Sequence, residues 1–492
     1  MILKVEPLKP GEIVPAPLDI YRCTVVADWV DYNNHMTEAA YLTAFGWASD
    51  VLFQYIGIND DYRAAGNSYY TVETHIIYER EADLDDELRI TTQVLDFDVK
   101  RLHFNHEMFN AATNERLSTC EQMLLHVDSK AAKSAPIPES VATALTLIKQ
   151  IKQRSIDAGI YACNMPSELG GGGLDSFDTT LVDREFGATS YALHYIVARP
   201  SNILRACRDQ QIAEYLVPTI TGERVECLAM SEPDAGSDVR GMKCTATREG
   251  DDWIINGTKH FISHADLADY VILFAASGEE QTSKGAKKKI TGFLVDFNSK
   301  GCERVKGYNC VSNNGYHNMI LNFDNCRVPS RNVLGEEHKG FDAANEWLGA
   351  TRLQVAAVCV GRARRALKLS VEWAATREQF GQQIGKFQGV SFKLADMQIQ
   401  LDAAELLTLR AAYNDAQGRF SDTEVAMAKV FSSEMCQFVT DEAIQIFGGM
   451  GLMDELPLER MWRDTRVDRI WDGTSEIQRH IISRALLRPY GG

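Results

Sequence analysis

Apolar positions recur at three- and four-residue spacing early in the chain. Leu42, Phe45, Ala48, Leu52 and Tyr55 line one face of a helix predicted between Asp28 and Gly57. Gly46 on that helix is expected to allow close approach to a sheet, and Gly57 is placed as its C-terminal cap. Period-two alternation then takes over in three runs, Glu87 to Asp96, Arg101 to Asn110 and Leu117 to Asp128, with Asn110 to Asn114 as a turn. One helix ahead of a long antiparallel sheet predicts an α+β first unit. Pro136 and Pro138 interrupt the pattern, and Val141, Leu145, Ile148 and Ile151 restart a helical period. Further on, Gly170 to Gly173 mark a turn between helices, and Asn256-Gly257 between two alternating runs predicts a hairpin. Ser283 to Lys289 reads as a solvated, charged loop. Three long amphipathic segments, Phe341 to Thr376, Phe387 to Gln417 and Asp422 to Phe447, with a last helix in IQRHIISRALL, predict a four-helix bundle.

Composition narrows the class. At 492 residues the chain is too long for one ordinary core, so two to four folding units are expected. Its 45% hydrophobic and 24% charged residues are those of soluble globular proteins. No run of eighteen apolar residues occurs and the first residues lack a signal-peptide core, so a cytoplasmic protein without a membrane span is expected. A formal net charge of -17 excludes nonspecific nucleic-acid binding. The first 150 residues are the more acidic part, with 12 Lys+Arg against 23 Asp+Glu, so an anionic ligand held there needs a local basic patch. The 11 cysteines form no CxxC pair and no zinc-ligand spacing, and are read as scattered buried thiols; no metal is expected.

Candidate chemistry concentrates in Gly448 to Arg479, GGMGLMDELPLERMWRDTRVDRIWDGTSEIQR. Asp472-Gly473-Thr474 is a tight turn in which Gly473 permits backbone conformations that a Cβ resists and Thr474 offers a hydroxyl. A lone Asp-Gly-Thr is more often an Asp that stabilises its own turn. The whole stretch, however, resembles the acyl-CoA dehydrogenase signature, in which a carboxylate removes the proton alpha to a thioester carbonyl and a hydride leaves the beta carbon for a flavin. That resemblance implies Asp472 as the base, where most of the family has Glu. Some relatives carry the base just before an Arg, a slot filled here by Thr351 ahead of Arg352. Arg352 matches a position that helps hold the CoA tail.

Near the N-terminus, DWVDYNNHM, YYTVETHI and KRLHFNHEM resemble the hotdog acyl-CoA thioesterases, and among them those of carnitine and betaine catabolism. The resemblance implies that Asp31, four residues before His35 at the mouth of the helix, attacks the thioester or activates water. Backbone N–H groups at that helix N-terminus would polarise the carbonyl. From the residues alone, Asp31 could equally be a helix N-cap. The family's usual Gly is replaced by Asn34. Glu73 is either a second carboxylate or a solvated strand residue, and Lys100 and Arg101 are candidates for the CoA phosphates.

Leu228 to Gly241, LAMSEPDAGSDVRG, matches the first dehydrogenase signature. By that resemblance Ser231 reaches the flavin ring of FAD, Gly236 and Ser237 lie by its phosphates, Phe261 flanks the ring and Ser263 fills a hydroxyl slot. REQFGQQIGKFQ resembles a segment that crosses to a neighbouring subunit's FAD, with Arg377 on the pyrophosphate, Phe380 in the same segment and Gln388 near the adenosine. Gln445 and Gly449 fall on adenine-side positions, and Thr474 and Glu476 near the ribose. The predicted architecture is a hotdog domain (1–140), a truncated helical domain (141–226), a β domain (227–335) and a C-terminal helical bundle (336–492). The predicted activity is FAD-dependent dehydrogenation of a short acyl-CoA, electrons passing to electron-transfer flavoprotein, fused to an acyl-CoA thioesterase in a homodimer or homotetramer. Two alternatives stand beside it: a flavin oxidase of the nitroalkane type, which also uses Asp as base, and a non-catalytic CoA-ester-binding protein.

Overall fold

The computed structural model describes residues 18–491 except 98–99, 132, 139–146, 191–193, 195–196, 198–199, 283–284, 309 and 314–317. Two compact units result, Met1–Gln150 and Ile151–Gly492. The helical restart expected at Val141 and Leu145 lies outside the described residues.

In the first unit an antiparallel sheet runs in the order β1 (Leu18–Thr24), β3 (Glu87–Phe97), β4 (Arg101–Asn110), β5 (Arg116–Asp128), β2 (Asn67–Tyr78), and a short β6 (Lys133–Ser134) pairs with the end of β5. Helix α1 (Glu38–Tyr55) packs its Ala40, Tyr41, Ala44, Phe45, Ala48 and Val51 on Leu88, Ile90, Met108 and Cys120 of the sheet. This is the predicted order of elements, with β1 and β2 added. Of the predicted face, Phe45, Ala48 and Leu52 are buried and Tyr55 is partly buried, while Leu42 is 47% exposed. Gly46 faces open space instead of the sheet. Gly57 has φ +88 and follows the helix end, as a left-handed cap requires.

A polar network crosses this core. His106 Nε2 lies 2.9 Å from Ser49 Oγ and its Nδ1 2.8 Å from Thr92 Oγ1, while Ser49 Oγ is 3.0 Å from Gln122 Oε1. Burial pushes the imidazole down to about 3. A free imidazole takes up its proton near pH 6.5. The unfolded chain therefore binds that proton first, and the unit loses stability as pH falls from about 6.5 toward about 3. In calorimetry of the full chain, the transition of the first unit is expected to drop more steeply over this range than in His106→Gln. Equal slopes would remove His106 as the cause.

Helix α2, Leu147–Asp157, starts four residues before the second unit and runs into it; α3, Ser176–Gly187, follows, and its N-cap Asp175 accepts from the N–H of Phe177 and Asp178. Its sheet runs β12 (Cys302–Tyr308), β13 (Asn318–Pro329), β9 (Asp252–Ser263), β8 (Thr245–Glu249), β10 (Tyr270–Thr282), β11 (Gly285–Asp296), β14 (Val333–Leu334), with β7 (Glu226–Ala229) parallel to β10. Two expectations fail here. Asn256-Gly257 makes no hairpin; β9 continues through it, bending where its register to β13 shifts between Gly257 and Ile255. Gly257 is needed because a Cβ there would press on the Cys244 backbone at 2.6 Å. The hairpin turn is Gly250-Asp251, with Gly250 at φ +63, between Glu249 and its partner Asp252. The expected charged loop is a strand from Gly285 onward, where Lys287 and Lys288 pair across from Glu280 and Glu279. Opposite charges on facing strands hold this hairpin open to water.

The bundle is formed by α4 (Gly340–Thr376), α5 (Gln388–Ala416), α6 (Asp422–Phe447), α7 (Pro457–Asp468) and α8 (Ser475–Leu487). Val355, Cys359, Ala363, Met397, Leu401, Met435, Cys436 and Val439 fill its core. Gly187 of α3 meets the backbone of Val358, and Gly361 meets the backbone of Arg184, so the entry helix lies on α4 with no side chain between them. No described helix is long and apolar enough to cross a membrane, and the described residues hold no cluster of metal ligands.

Candidate active site

The link between α7 and α8 is a turn held by several buried side chains. Asp472 has φ +52 and Gly473 φ +89, so two successive residues are left-handed. For Asp that conformation is tolerated at a cost of about 1–3 kcal/mol. Three buried side chains hold it in place. Lys429 Nζ donates to the carbonyls of Trp471 and Gly473 at 3.0 and 2.8 Å. Arg352 Nε donates to the Asp472 carbonyl at 3.1 Å, and Gln478 Nε2 reaches the carbonyls of Asp472 and Gly473 at 3.2 and 2.8 Å. Thr474 caps α8, its hydroxyl accepting from the Ile477 N–H at 3.3 Å, and Glu476 follows in the first turn. Burial depresses the proton affinity of both Arg352 and Lys429, against the charge of Asp472. Thr351 donates to the Leu348 carbonyl, so no carboxylate precedes Arg352.

Beneath the turn, Arg362 and Asp468 form a fully buried ion pair at 2.5 Å. At the end of α6, Gln445 and Gly449 are exposed.

A second buried pair shapes the loop after β7. Glu232 accepts from Lys259 Nζ at 2.7 Å and from the backbone N–H of Cys244 at 3.0 Å, and Lys259 also donates to the Met230 carbonyl at 3.0 Å. The His260 N–H donates to the Ser231 carbonyl at 3.0 Å, so loop and strand β9 are tied together. Ser231 is half-buried, Gly236 and Ser237 are exposed, and a Cβ built on Gly236 would meet nothing within 4 Å. Phe261, at φ +55, is 53% exposed and its ring lies 5.0 Å from that of Tyr308. Ser263 ends the strand opposite Asn318.

After α4 the chain forms a two-strand arm, β15 (Glu378–Gln379) and β16 (Gln382–Gln383), turned at Phe380 (φ +51) and Gly381 (φ +79). Phe380 stands at its tip 94% exposed; Arg377 at its base and Gln388 at the start of α5 are exposed as well.

In the first unit, Asp31 closes its own turn: its Oδ1 accepts from the N–H of Asn33 at 2.8 Å and of His35 at 3.1 Å. Against a little desolvation, these two N–H groups hold the carboxyl below its usual range. Asp31 is therefore not the N-cap of α1, which is Thr37. Asn34 takes φ +66, a conformation that Asn tolerates better than most residues. His35 faces Glu81 at 3.4 Å and Asp83 at 3.7 Å. Glu73 is exposed on β2, and Lys100 Nζ reaches Ser134 Oγ at 3.4 Å beside Arg101.

Family models match along most of the chain: the thioesterase-like superfamily over residues 25–145, and the N-terminal, middle and C-terminal domains of acyl-CoA dehydrogenase over 126–223, 227–326 and 338–487. The rat (Rattus norvegicus) short-chain specific acyl-CoA dehydrogenase, mitochondrial, is 36% identical over 69% of this chain and 83% of its own length. The chain belongs to the acyl-CoA dehydrogenase family. The caffeyl-CoA reductase-Etf complex subunit CarC of Acetobacterium woodii is 35% identical over 69% of this chain and 90% of its own. Butyryl-CoA dehydrogenase from Megasphaera elsdenii superposes with a TM-score of 0.64 at 33% identity, covering 69% and 90% of the two chains.

Within this acyl-CoA dehydrogenase, Asp472, Thr474, Glu476 and Arg352 meet at one turn, and Ser231, Phe261 and Ser263 share the loop and strand of the β domain. Sequence reasoning missed the groups that hold them, Lys429, Gln478, Glu232 and Lys259. A signal was available in AMAKVF and in GTKHF, where one lysine interrupts an apolar or strand pattern.

Proposed function

We propose that this FAD-dependent acyl-CoA dehydrogenase oxidises a short acyl-CoA between Cα and Cβ with Asp472 as base, and that its thioesterase-like domain hydrolyses an acyl-CoA with Asp31. The observation that carries the first part is the turn at 472, its three carbonyls engaged from inside by Lys429, Arg352 and Gln478. A base held this way keeps a fixed distance to a bound thioester, which a one-methylene carboxylate needs. Arg352 is assigned to the CoA side of that turn.

The residues fit FAD. Gly236 leaves open space for a phosphate near backbone N–H groups, Phe261 offers an exposed ring face, and Ser231 and Ser263 supply hydroxyls. Ser237, Arg377, Phe380, Gln388, Gln445, Gly449, Thr474 and Glu476 are assigned to the same cofactor. FAD, when bound, supplies the hydride acceptor. Electron-transfer flavoprotein is the expected electron partner, in keeping with the Etf complex named for the Acetobacterium relative.

A homodimer or homotetramer in the cytoplasm is the expected form. The bare ring of Phe380 and the exposed stripe Phe392, Ile399, Leu406 and Tyr413, spaced by seven along α5, support it, as do Tyr70 and Val72 exposed on edge strand β2. For the acyl group the reading is a short chain bearing a trimethylammonium, as in carnitine and betaine catabolism, with Trp347 and Trp471 as aromatic contacts.

The purified chain should be yellow, and butyryl-CoA or its trimethylammonium analogue should bleach it in the absence of oxygen. Dioxygen consumption with a nitroalkane and no bleaching by any CoA ester would favour the oxidase instead. Asp31→Asn should slow CoA-ester hydrolysis about 10²–10⁴-fold and leave dehydrogenation unchanged. Because the Asp31 carboxyl is held low, hydrolysis by the parent should persist as pH falls through the ordinary carboxylate range. An Asp31→Asn hydrolase of parental rate would exclude Asp31.

A further inference from the structure

We infer that Lys429 is a positioning residue for the base, fixing the Asp472 turn and favouring its ionised form; this rests on the assignment of Asp472 as base. Lys429 lies in the first third of α6 among buried Ala428, Val430, Ser432 and Ser433, and is itself buried. A cation there costs free energy unless something on the protein requires it.

Its ammonium spans the turn, one N–H on the carbonyl before Asp472 and another on the carbonyl after it. A single three-donor group can do this; an apolar side chain would take this donor from the Trp471 carbonyl and leave the Gly473 carbonyl to Gln478. The charged and titratable groups facing the ammonium are Asp472 from the turn, Asp468 from α7, and Cys359 and Arg352 from α4. Asp468 is engaged by Arg362 at 2.5 Å, and Arg352 repels the ammonium. Asp472 and Asp468 both attract the ammonium, Asp472 foremost. By the same attraction, Lys429 favours the ionised Asp472 that a proton abstraction needs.

The test uses the full-length holoenzyme with butyryl-CoA and an artificial electron acceptor, comparing Lys429→Gln, Lys429→Arg and Asp472→Asn. Lys429→Gln should retain FAD and KM, lower kcat about 10–100-fold through a displaced base, and move the acid limb of kcat/KM to higher pH. Lys429→Arg, which keeps the charge, should leave the acid limb in place and recover part of kcat. A FAD-replete Lys429→Gln with parental kcat and an unmoved acid limb overturns the role of Lys429. If Lys429→Gln does not hold FAD, Lys429→Arg decides: a kcat lowered with the limb unmoved supports the role, and a parental kcat overturns it. Asp472→Asn separates the two readings. If that variant is bleached normally, the base assignment itself fails; if it is inert beside a parental Lys429→Gln, only the role of Lys429 falls.

Discussion

Asp472→Asn is expected to slow reduction of the flavin by an acyl-CoA ester about 10²–10⁴-fold, the usual contribution of a positioned general base, while the spectrum before substrate is unchanged. The amide has nearly the shape of the carboxylate. The backbone at 472 is held through its carbonyl by Arg352 and Gln478, so the turn should survive. Stopped-flow absorbance measures the effect directly, and flavin content on denaturation checks that the cofactor is still bound. Rapid, complete bleaching would show that another group takes the proton. Thr351, in the slot that serves some relatives, has no carboxylate to offer and already donates its hydroxyl within α4.

The largest stability effect is expected at Asp468→Ala, about 3–5 kcal/mol. Arg362 and Asp468 are both fully buried, 2.5 Å apart. Although burial works against its charge, Asp468 raises the proton affinity of Arg362, so the guanidinium stays ionised at any ordinary pH. Removing the carboxylate strands that charge in a core of Cys359, Cys436 and neighbouring apolar groups. Urea unfolding of the full chain should show the transition of the second unit shifted to lower denaturant. Arg362→Met combined with Asp468→Leu should recover most of the loss, since a buried pair replaced whole by apolar groups is often neutral. A single Asp468→Ala of parental stability would mean that Arg362 reaches water.

Much of this fold is legible in the chain because its motifs are local. The three alternating runs from Glu87 to Asp128 lie in the sheet as strands β3, β4 and β5, because alternation marks strands that bury one face. The bundle helices are long enough that their period survives small errors at either end. What local pattern does not carry is where an apolar face ends, as at Leu42, which fits the helical period and yet is 47% exposed. Nor does it distinguish an Asn-Gly that turns the chain from one that bends a strand, since that depends on Cys244, thirteen residues away. The candidates Asp472, Asp31 and Arg352 are legible because they sit in dense motifs, but their neighbours in space are not. Lys429 and Arg352 converge on the turn from α6 and α4, a meeting made only by folding.

The bend at Asn256-Gly257 has a chemical consequence. In a mobile chain this dipeptide loses its side-chain amide readily, because the following backbone nitrogen can swing round and attack the amide carbon. Here the strand continues through both residues, and the Asn256 Oδ1 is engaged by the N–H of Asn325 at 2.8 Å. Attack is blocked while the ladder stands, so deamidation at Asn256 becomes a slow clock of the time β9 spends unzipped.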